Sequence, residues 1–253
     1  GVIDVTDDHS LLKPNGDCIS PKEMELGTEL LHHDLPEVSE NQTEINEDEA
    51  KIMGFFFGDG SCGSYNCKSG KKCSWALNNS SIEIIEKYHK LCIKVYADLD
   101  WKILNTLTSS NVYKIIPNSN KEYGKIAQFV NNYRSKLYYK NCKIIPDIII
   151  HSNKNIRQAF WDGLYDADGD KSNYIRIDQK NQISAAYINW LAQSLGYKTS
   201  INTRSDKLDI YRITMTTNKQ RKSLTSVKKL EVIEYNNCCV YDLTTEKIGR
   251  AHV

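Results

Sequence analysis

Apolar and polar positions along this chain predict the same succession of elements twice. The first succession opens at Asn46, read as a helix start before Glu47, Asp48 and Glu49, with Glu49 placed for a capping box. Helical periodicity then runs through Ile52-Met-Gly-Phe-Phe-Phe-Gly-Asp-Gly60. Trp75 to Asn79 reads as a strand end and Ser81 to Ile93 as a helix. Ile103 to Leu107 and Val112 to Ile116 then read as a hairpin around Ser109, Ser110 and Asn111. The second succession starts with Trp161-Asp-Gly-Leu-Tyr-Asp-Ala-Asp-Gly169. Tyr174 to Asp178 follows as strand and Ser184 to Leu195 as a helix stopping at Gly196, then Thr199 to Thr203 with Leu208 to Met215 as a hairpin. An α+β fold is expected, built from two pseudo-symmetric αββαββ units with the glycine-bearing helices at their interface. Ahead of both, Gly1 to Leu12 alternates like a strand and turns at Lys13-Pro-Asn-Gly16, and the acidic stretch Asp34 to Glu49 reads as a linker.

The two helical stretches lie in register at an offset of 109 residues: Ala50, Gly54 and Gly58 correspond to Ala159, Gly163 and Ala167, and Asp59 to Asp168. Positions four apart share one helix face, so each copy carries a stripe almost without side chains. A glycine inside a helix costs about 0.5–1 kcal/mol, and close approach of two helix backbones is the natural reason to accept it. Each copy ends in Asp-Gly, and Gly60 and Gly169 are expected as left-handed stops. A helix C-terminus presents unpaired carbonyls and partial negative charge, which attract cations. Two such ends side by side, each with a carboxylate, make a hard oxygen site suited to Mg²⁺. The expected ligands are Asp59 and Asp168 with the helix-end residues Gly58 and Ala167.

Charge changes the picture of the partner. The net charge of +1 hides 14 acidic and 2 basic residues within positions 1–50, a balance of −12. The remainder stands at +13, which points to a polyanion, and the twin acidic motifs favour nucleic acid over a merely solvated surface. Basic and aromatic residues interleave on the expected strands. Lys102, Lys114, Arg176, Arg204, Lys207 and Arg212 are the candidates to meet phosphates and base edges of double-stranded DNA. No apolar run reaches the roughly 18 residues of a membrane helix and no signal peptide is visible, so an intracellular protein without membrane attachment is expected. Eight cysteines show no paired CxxC spacing; Cys62, Cys67 and Cys73 form a loose cluster with His89 as the nearest further ligand, and reduced thiols are expected rather than zinc.

These motifs resemble the LAGLIDADG, or dodecapeptide, homing endonucleases. The second copy matches at Gly163, Leu164, Asp166, Ala167, Asp168 and Gly169; the first matches more loosely, with Gly58-Asp59 in place of Ala-Asp. The resemblance implies metal-dependent cleavage of both strands of a long DNA site, Asp59 and Asp168 as catalytic metal-binding acids, two or more divalent ions, and a monomer acting through its internal repeat. Lys143-Ile-Ile-Pro146 lies 25 residues before Asp168 and resembles the Lys-x-x-Pro element of intein-borne members, which makes Lys143 a catalytic candidate. A matching basic residue is expected from the second half, with Lys207, Lys219 and Lys222 all open.

The flanks resemble an intein. Thr6 and His9 fit the splicing element whose histidine assists the first acyl shift, and Val240 to Glu246 fits the C-terminal splicing strand, with Asp242 near the junction. With the Trp75 to Asn79 segment, the resemblance is to inteins in family B DNA polymerases of large DNA viruses. The implied organisation has part of an all-β splicing (Hint) domain at 1–36, the endonuclease at 37–230 with halves near 46–142 and 143–230, and a splicing strand at 231–246. Positions 247–253 are expected to be a non-native tail, because Ile248 to Val253 reads like a translated sequencing adapter. The residues that splicing requires at either junction are not among these positions, so the chain is expected to cut DNA but not to splice. The alternative from another class is a DNA- or RNA-binding member that has lost cleavage, as a maturase or decayed element.

Overall fold

The computed structural model describes residues 3–32, 44–68, 70–118, 123–170, 175–204, 206–207, 210–216, 225–234, 243–245 and 249–251. The chain divides into two compact units, one of Gly1–Pro36 with Asn218–Val253 and the other of Glu37–Thr217.

In the first unit, β1 (Leu11–Leu12) pairs with β2 (Cys18–Ile19) across the turn at Lys13 to Gly16, where Gly16 adopts φ 89°. The strand expected over Gly1 to Leu12 is therefore confined to its last two described residues. Both ends of the sequence contribute to this unit: Gly27 and Leu30 donate to the carbonyls of Val227 and Thr225, and Val227 donates to that of Thr28.

The larger unit opens with α1 (Glu47–Asp59), whose N-cap Asn46 accepts from the Glu49 N–H at 2.9 Å. β3 (Gly60–Cys67) and β4 (Gly70–Asn79) follow, then α2 (Ile82–Val95) capped by Ser81. β5 (Trp101–Asn105), the single turn α3 (Leu107–Ser110) and β6 (Tyr113–Pro117) complete an antiparallel sheet in the order β3-β4-β6-β5. The expected hairpin over 103–116 thus exists, but Leu107 belongs to the helical turn, which Asn111 closes at φ 56°. α4 (Tyr123–Leu137) and the short hairpin β7 (Tyr138–Tyr139) and β8 (Cys142–Lys143) lead through α5 (Asp147–Ile150) to α6 (Lys154–Asp168). β9 (Ile175–Gln179), α7 (Gln182–Ser194), β10 (Lys198–Thr203) and β11 (Tyr211–Thr216) follow, with sheet order β10-β11-β9. β12 (Leu243–Thr245) and β13 (Gly249–Ala251) pair in the first unit.

α1 and α6 pack against each other along their small-residue stripes, at the centre of the larger unit. A methyl group added at Gly54 would lie 1.9 Å from the Phe160 carbonyl oxygen, and one at Gly163 would lie 2.0 Å from that of Lys51. Residues 51 and 160 are themselves 109 apart, so the contact is reciprocal. Phe55, Phe56 and Phe57 of α1 and Phe160, Trp161 and Leu164 of α6 are buried around this seam. Phe56 meets Trp75 and Tyr133, and Phe57 meets Phe160 edge-on. The sheets turn one face to the helices: Leu77, Ile115, Ile177, Ile213 and Met215 are buried, while their strand neighbours point the other way.

Neither Gly60 nor Gly169 is a left-handed stop, which corrects the expectation. Both continue in extended backbone, at φ −90° and −64°. The chain passes straight from helix into the next segment, and each glycine lies close to its own helix. A Cβ at Gly60 would come 2.3 Å from the Phe56 ring, and one at Gly169 would come 2.4 Å from the Tyr165 carbonyl oxygen.

Candidate active site

The packing of α1 on α6 brings the two Asp-Gly ends together. Gly58 faces Ala167: a Cβ at Gly58 would lie 2.7 Å from the Ala167 Cβ and 3.1 Å from Asp168 Oδ2. The missing side chain at Gly58 therefore leaves room for the Asp168 carboxylate beside α1. Burial, and after it the negative charge of Asp59, push the Asp168 carboxyl up to about 6, with Lys143 opposing them. Each motif helix ends on an i to i−4 bond, from Gly60 N–H to the Phe56 carbonyl and from Gly169 N–H to that of Tyr165.

Lys143 is no solvent-facing linker lysine. Its ammonium lies within hydrogen-bond distance of the carbonyls of Phe56 (3.0 Å), Phe57 (3.0 Å), Gly58 (2.9 Å) and Gly60 (2.7 Å), which share its three N–H groups, capping the C-terminus of α1 where the helix dipole collects negative charge. Burial draws it down to about 8, against the pull of Asp168 and Asp59. The β7–β8 hairpin presents it, through a turn in which Lys140 and Asn141 take positive φ. The Ser184 hydroxyl at the start of α7 donates to its carbonyl at 2.7 Å.

Two residues of the site were not assigned a role in the sequence. Asn78 Nδ2 donates to the Asp59 carbonyl at 2.7 Å, and Asn79 Nδ2 donates to Asp59 Oδ2 at 3.1 Å. Asn79 is itself buried and accepts from the Ser81 N–H at 2.9 Å. A pair of amides at a strand end just before a helix cap was the available signal. Asp166, matched to the family motif, points elsewhere: its Oδ2 accepts from Lys87 Nζ at 2.8 Å and Tyr88 OH at 2.7 Å, tying α6 to α2.

Two carboxylates and helix-end carbonyls suit a hard divalent cation, and the raised Asp168 carboxyl marks a spot short of positive charge. The Gly58 carbonyl assigned to the metal accepts from Lys143 here. Among the described residues no group of three or more His, Cys, Asp or Glu side chains is placed to hold a metal ion. An ion at Asp59 and Asp168 would accordingly keep water or take phosphate oxygens in its remaining positions, which is the habit of Mg²⁺. Cys62, Cys67 and Cys73 form no disulfide, Cys67 donating to the Gly70 carbonyl and Cys73 meeting the Ser64 hydroxyl, and His89 of α2 meets the Trp101 carbonyl of β5 at 3.2 Å.

The basic candidates divide. Lys114 pairs with Asn78 and Leu104, and Lys102 with Ile116, on the sheet face opposite buried Ile115. Arg176 and Arg212 lie on the corresponding face of the second sheet. Asp170, two residues past Asp168, donates its N–H to the Arg176 carbonyl and accepts from its guanidinium, joining that face to the α6 end. Arg204 follows β10 and Lys207 lies in the loop before β11, so neither is on a strand. The charges that bear on Asp168 are those of Asp59 and Lys143, not of Lys207. Lys219, Lys222 and Asp242 lie outside the described residues. Thr6 and His9 share a turn, with the His9 N–H on the Thr6 carbonyl at 3.2 Å.

Acids and a lysine converging at one helix-pair end, beside sheet faces that carry lysine and arginine, are an arrangement that suits hydrolysis of nucleic acid. Residues 144–234 match the family model described as homing endonuclease. The chain is 44% identical over 258 residues to a DNA polymerase of Acanthamoeba polyphaga mimivirus, covering 97% of this chain and 14% of that protein. A DNA polymerase of Thermococcus hydrothermalis is 23% identical over 210 residues, covering 82% and 11%. The chain thus spans a small part of the curated relatives it matches. Among solved structures, I-DmoI in complex with DNA and Mn is 20% identical with a TM-score of 0.48, covering 67% of this chain and 89% of that one. I-WcaI bound to its DNA recognition sequence is 14% identical at 0.42, covering 70% and 78%. The segment 144–234 thus matches the homing endonuclease family.

Proposed function

We propose that this chain is the endonuclease-bearing part of an intein carried in a viral DNA polymerase, and that it hydrolyses both strands of a long double-stranded DNA site. The observation that carries this reading is the convergence of Asp59, Asp168 and Lys143 on the packed ends of α1 and α6. Asp59 and Asp168 would hold divalent ions, with Mg²⁺ best suited to the ligand set, and helix-end oxygens of Gly58 and Ala167 beside them. Bound there, such ions would supply Lewis acidity and polarise a water for attack on the phosphate. Asn79 fixes the Asp59 carboxylate by its hydrogen bond, and the β7–β8 hairpin fixes Lys143. Lys143 brings a positive charge toward the phosphate as charge develops on its oxygens. The strand faces bearing Lys102, Lys114, Arg176 and Arg212 would lie along the duplex, and neutralised phosphates make that binding strongly salt-dependent.

The two halves of the larger unit act in this reading as one pseudo-symmetric monomer, with one carboxylate for each strand. No helix among the described residues is long and apolar enough to cross a membrane. Action on DNA assigns the chain to the inside of the infected cell. The first unit would belong to the splicing domain, with Thr6, His9 and Asp242 as splicing residues. An Asp168→Asn variant, assayed on DNA spanning the uninterrupted polymerase gene, is expected to bind but not cut. Unchanged cutting would remove Asp168 from the chemistry, and a wild-type chain that binds without cutting would leave a DNA-binding protein.

A further inference from the structure

On the second sheet, Asp178 in β9 stands directly opposite Arg212 in β11, on the face turned away from buried Ile177 and Ile213. Arg212 Nε donates to Asp178 Oδ1 at 2.7 Å and Arg212 Nη2 to Oδ2 at 2.8 Å, a side-on bidentate pair. Arg204 Nη1 donates to Asp178 Oδ2 at 3.0 Å, while its Nε and Nη2 are held by Asp206. Two arginines and two aspartates therefore make a cluster of zero net charge, in the middle of a surface otherwise suited to a polyanion. Side chains of Arg212 and Asp178 remain about one-third exposed, at 32% and 30%.

A cluster built to hold phosphate would not neutralise itself. Its geometry fits a different task. A guanidinium has five N–H donors. Asp178 takes Nε–H and one Nη2–H, which leaves the end-on edge of Arg212, one Nη1–H parallel to one Nη2–H. That fork matches guanine O6 and N7 in the major groove. Asp178 fixes the plane of the fork, so less side-chain freedom is lost when a base is met. Asp178 also repels phosphate, which keeps the site on base edges. The first sheet offers Lys102 and Lys114 on its corresponding face, hydrated point charges better suited to backbone phosphates.

Resting on the DNA-binding reading above, we infer that Arg212 reads one guanine of the target and that Asp178, braced by Arg204, is the positioning residue that sets this specificity. The test is selection of the full chain on a randomised duplex library at several salt concentrations, with sequencing of the bound fraction. Wild type is expected to enrich one guanine position. Arg212→Lys keeps the charge but loses the fork, so affinity for duplex without that guanine stays while preference at that position falls on the order of 5- to 150-fold. Asp178→Asn is expected to relax the same position while tightening binding to non-specific duplex, its salt slope steeper by about one. A merely structural Asp178 would weaken all binding together and leave the base preference alone. Salt-dependent binding with no position that responds to either variant overturns the inference while sparing the DNA-binding reading. A wild-type chain that binds no duplex at any salt overturns both.

Discussion

Replacing Gly54 with alanine adds one methyl group to the seam between α1 and α6, and two effects of opposite sign then compete. Alanine is the better helix former by about 1 kcal/mol. Against this, the new Cβ would sit 1.9 Å from the Phe160 carbonyl oxygen, where ordinary contact begins at 3.4 Å, so the helices must part by roughly 1.5 Å. Overpacking costs about 1–3 kcal/mol, and the upper part of that range applies because the obstacle is backbone rather than a movable side-chain tip. The clash wins. For a unit of this size the resulting net loss of about 1–2 kcal/mol lowers Tm by roughly 2–8 °C. Gly124 in α4 is the internal control, since nothing lies within 4 Å of a Cβ there. Gly124→Ala is expected to raise Tm by a degree or more. Calorimetry on both variants decides, supported by denaturant titration. The Gly54→Ala/Gly163→Ala double variant is expected to lose less than the sum, because the helices have already parted. A Gly54→Ala chain that melts at or above wild type would refute close backbone packing as the reason for the stripe.

Further outcomes follow from the site. In the metal-free chain the Asp168 carboxyl is expected to titrate near 6 by NMR. Its folded pKa is raised above the unfolded value, so its share of stability is full below about 4 and is lost as pH rises through about 6. Asp168→Asn should therefore melt higher than wild type at pH 7 and no higher at pH 4; a lower melting point at pH 7 would contradict the buried-charge argument. Lys143 is depressed to about 8, so its share is present above about 10.5 and lost as pH falls through 8. A ¹⁵N-detected midpoint near 8 is expected for its ammonium, and a midpoint near 10.5 would mean that burial does not outweigh the pull of Asp168 and Asp59. Asn79→Ala should lower the cleavage rate more than DNA affinity, because Asn79 orients Asp59 without facing the duplex; equal losses in both would point to misfolding of the strand end.

The helices that carry strong three-to-four spacing were legible, and so was the start of α1, where Asn46 holds the Glu49 N–H. The offset of 109 residues foretold the α1–α6 seam because glycine there has a steric meaning that survives into three dimensions. β3 was not legible. Its residues Gly60 to Cys67 are polar, small and mostly exposed on an edge strand, so no alternation marks it. α4 was missed as well, since Tyr123 to Leu137 mixes charged and apolar residues without a clear capping signal. Lys143 could be singled out by its Lys-x-x-Pro spacing, but its enclosure by carbonyls of residues 56 to 60 depends on a hairpin that only folding creates. Asp178 escaped notice for a related reason: an acid among basic residues looks like dilution until β9 and β11 pair.

The most direct measurement is cleavage of a plasmid that carries the polymerase gene without its insert, incubated with the purified full chain and Mg²⁺. The account predicts a single double-strand cut at the insertion point, absent with chelator and absent in the Asp168→Asn chain. Salt-dependent binding of that plasmid with neither strand ever broken would contradict it.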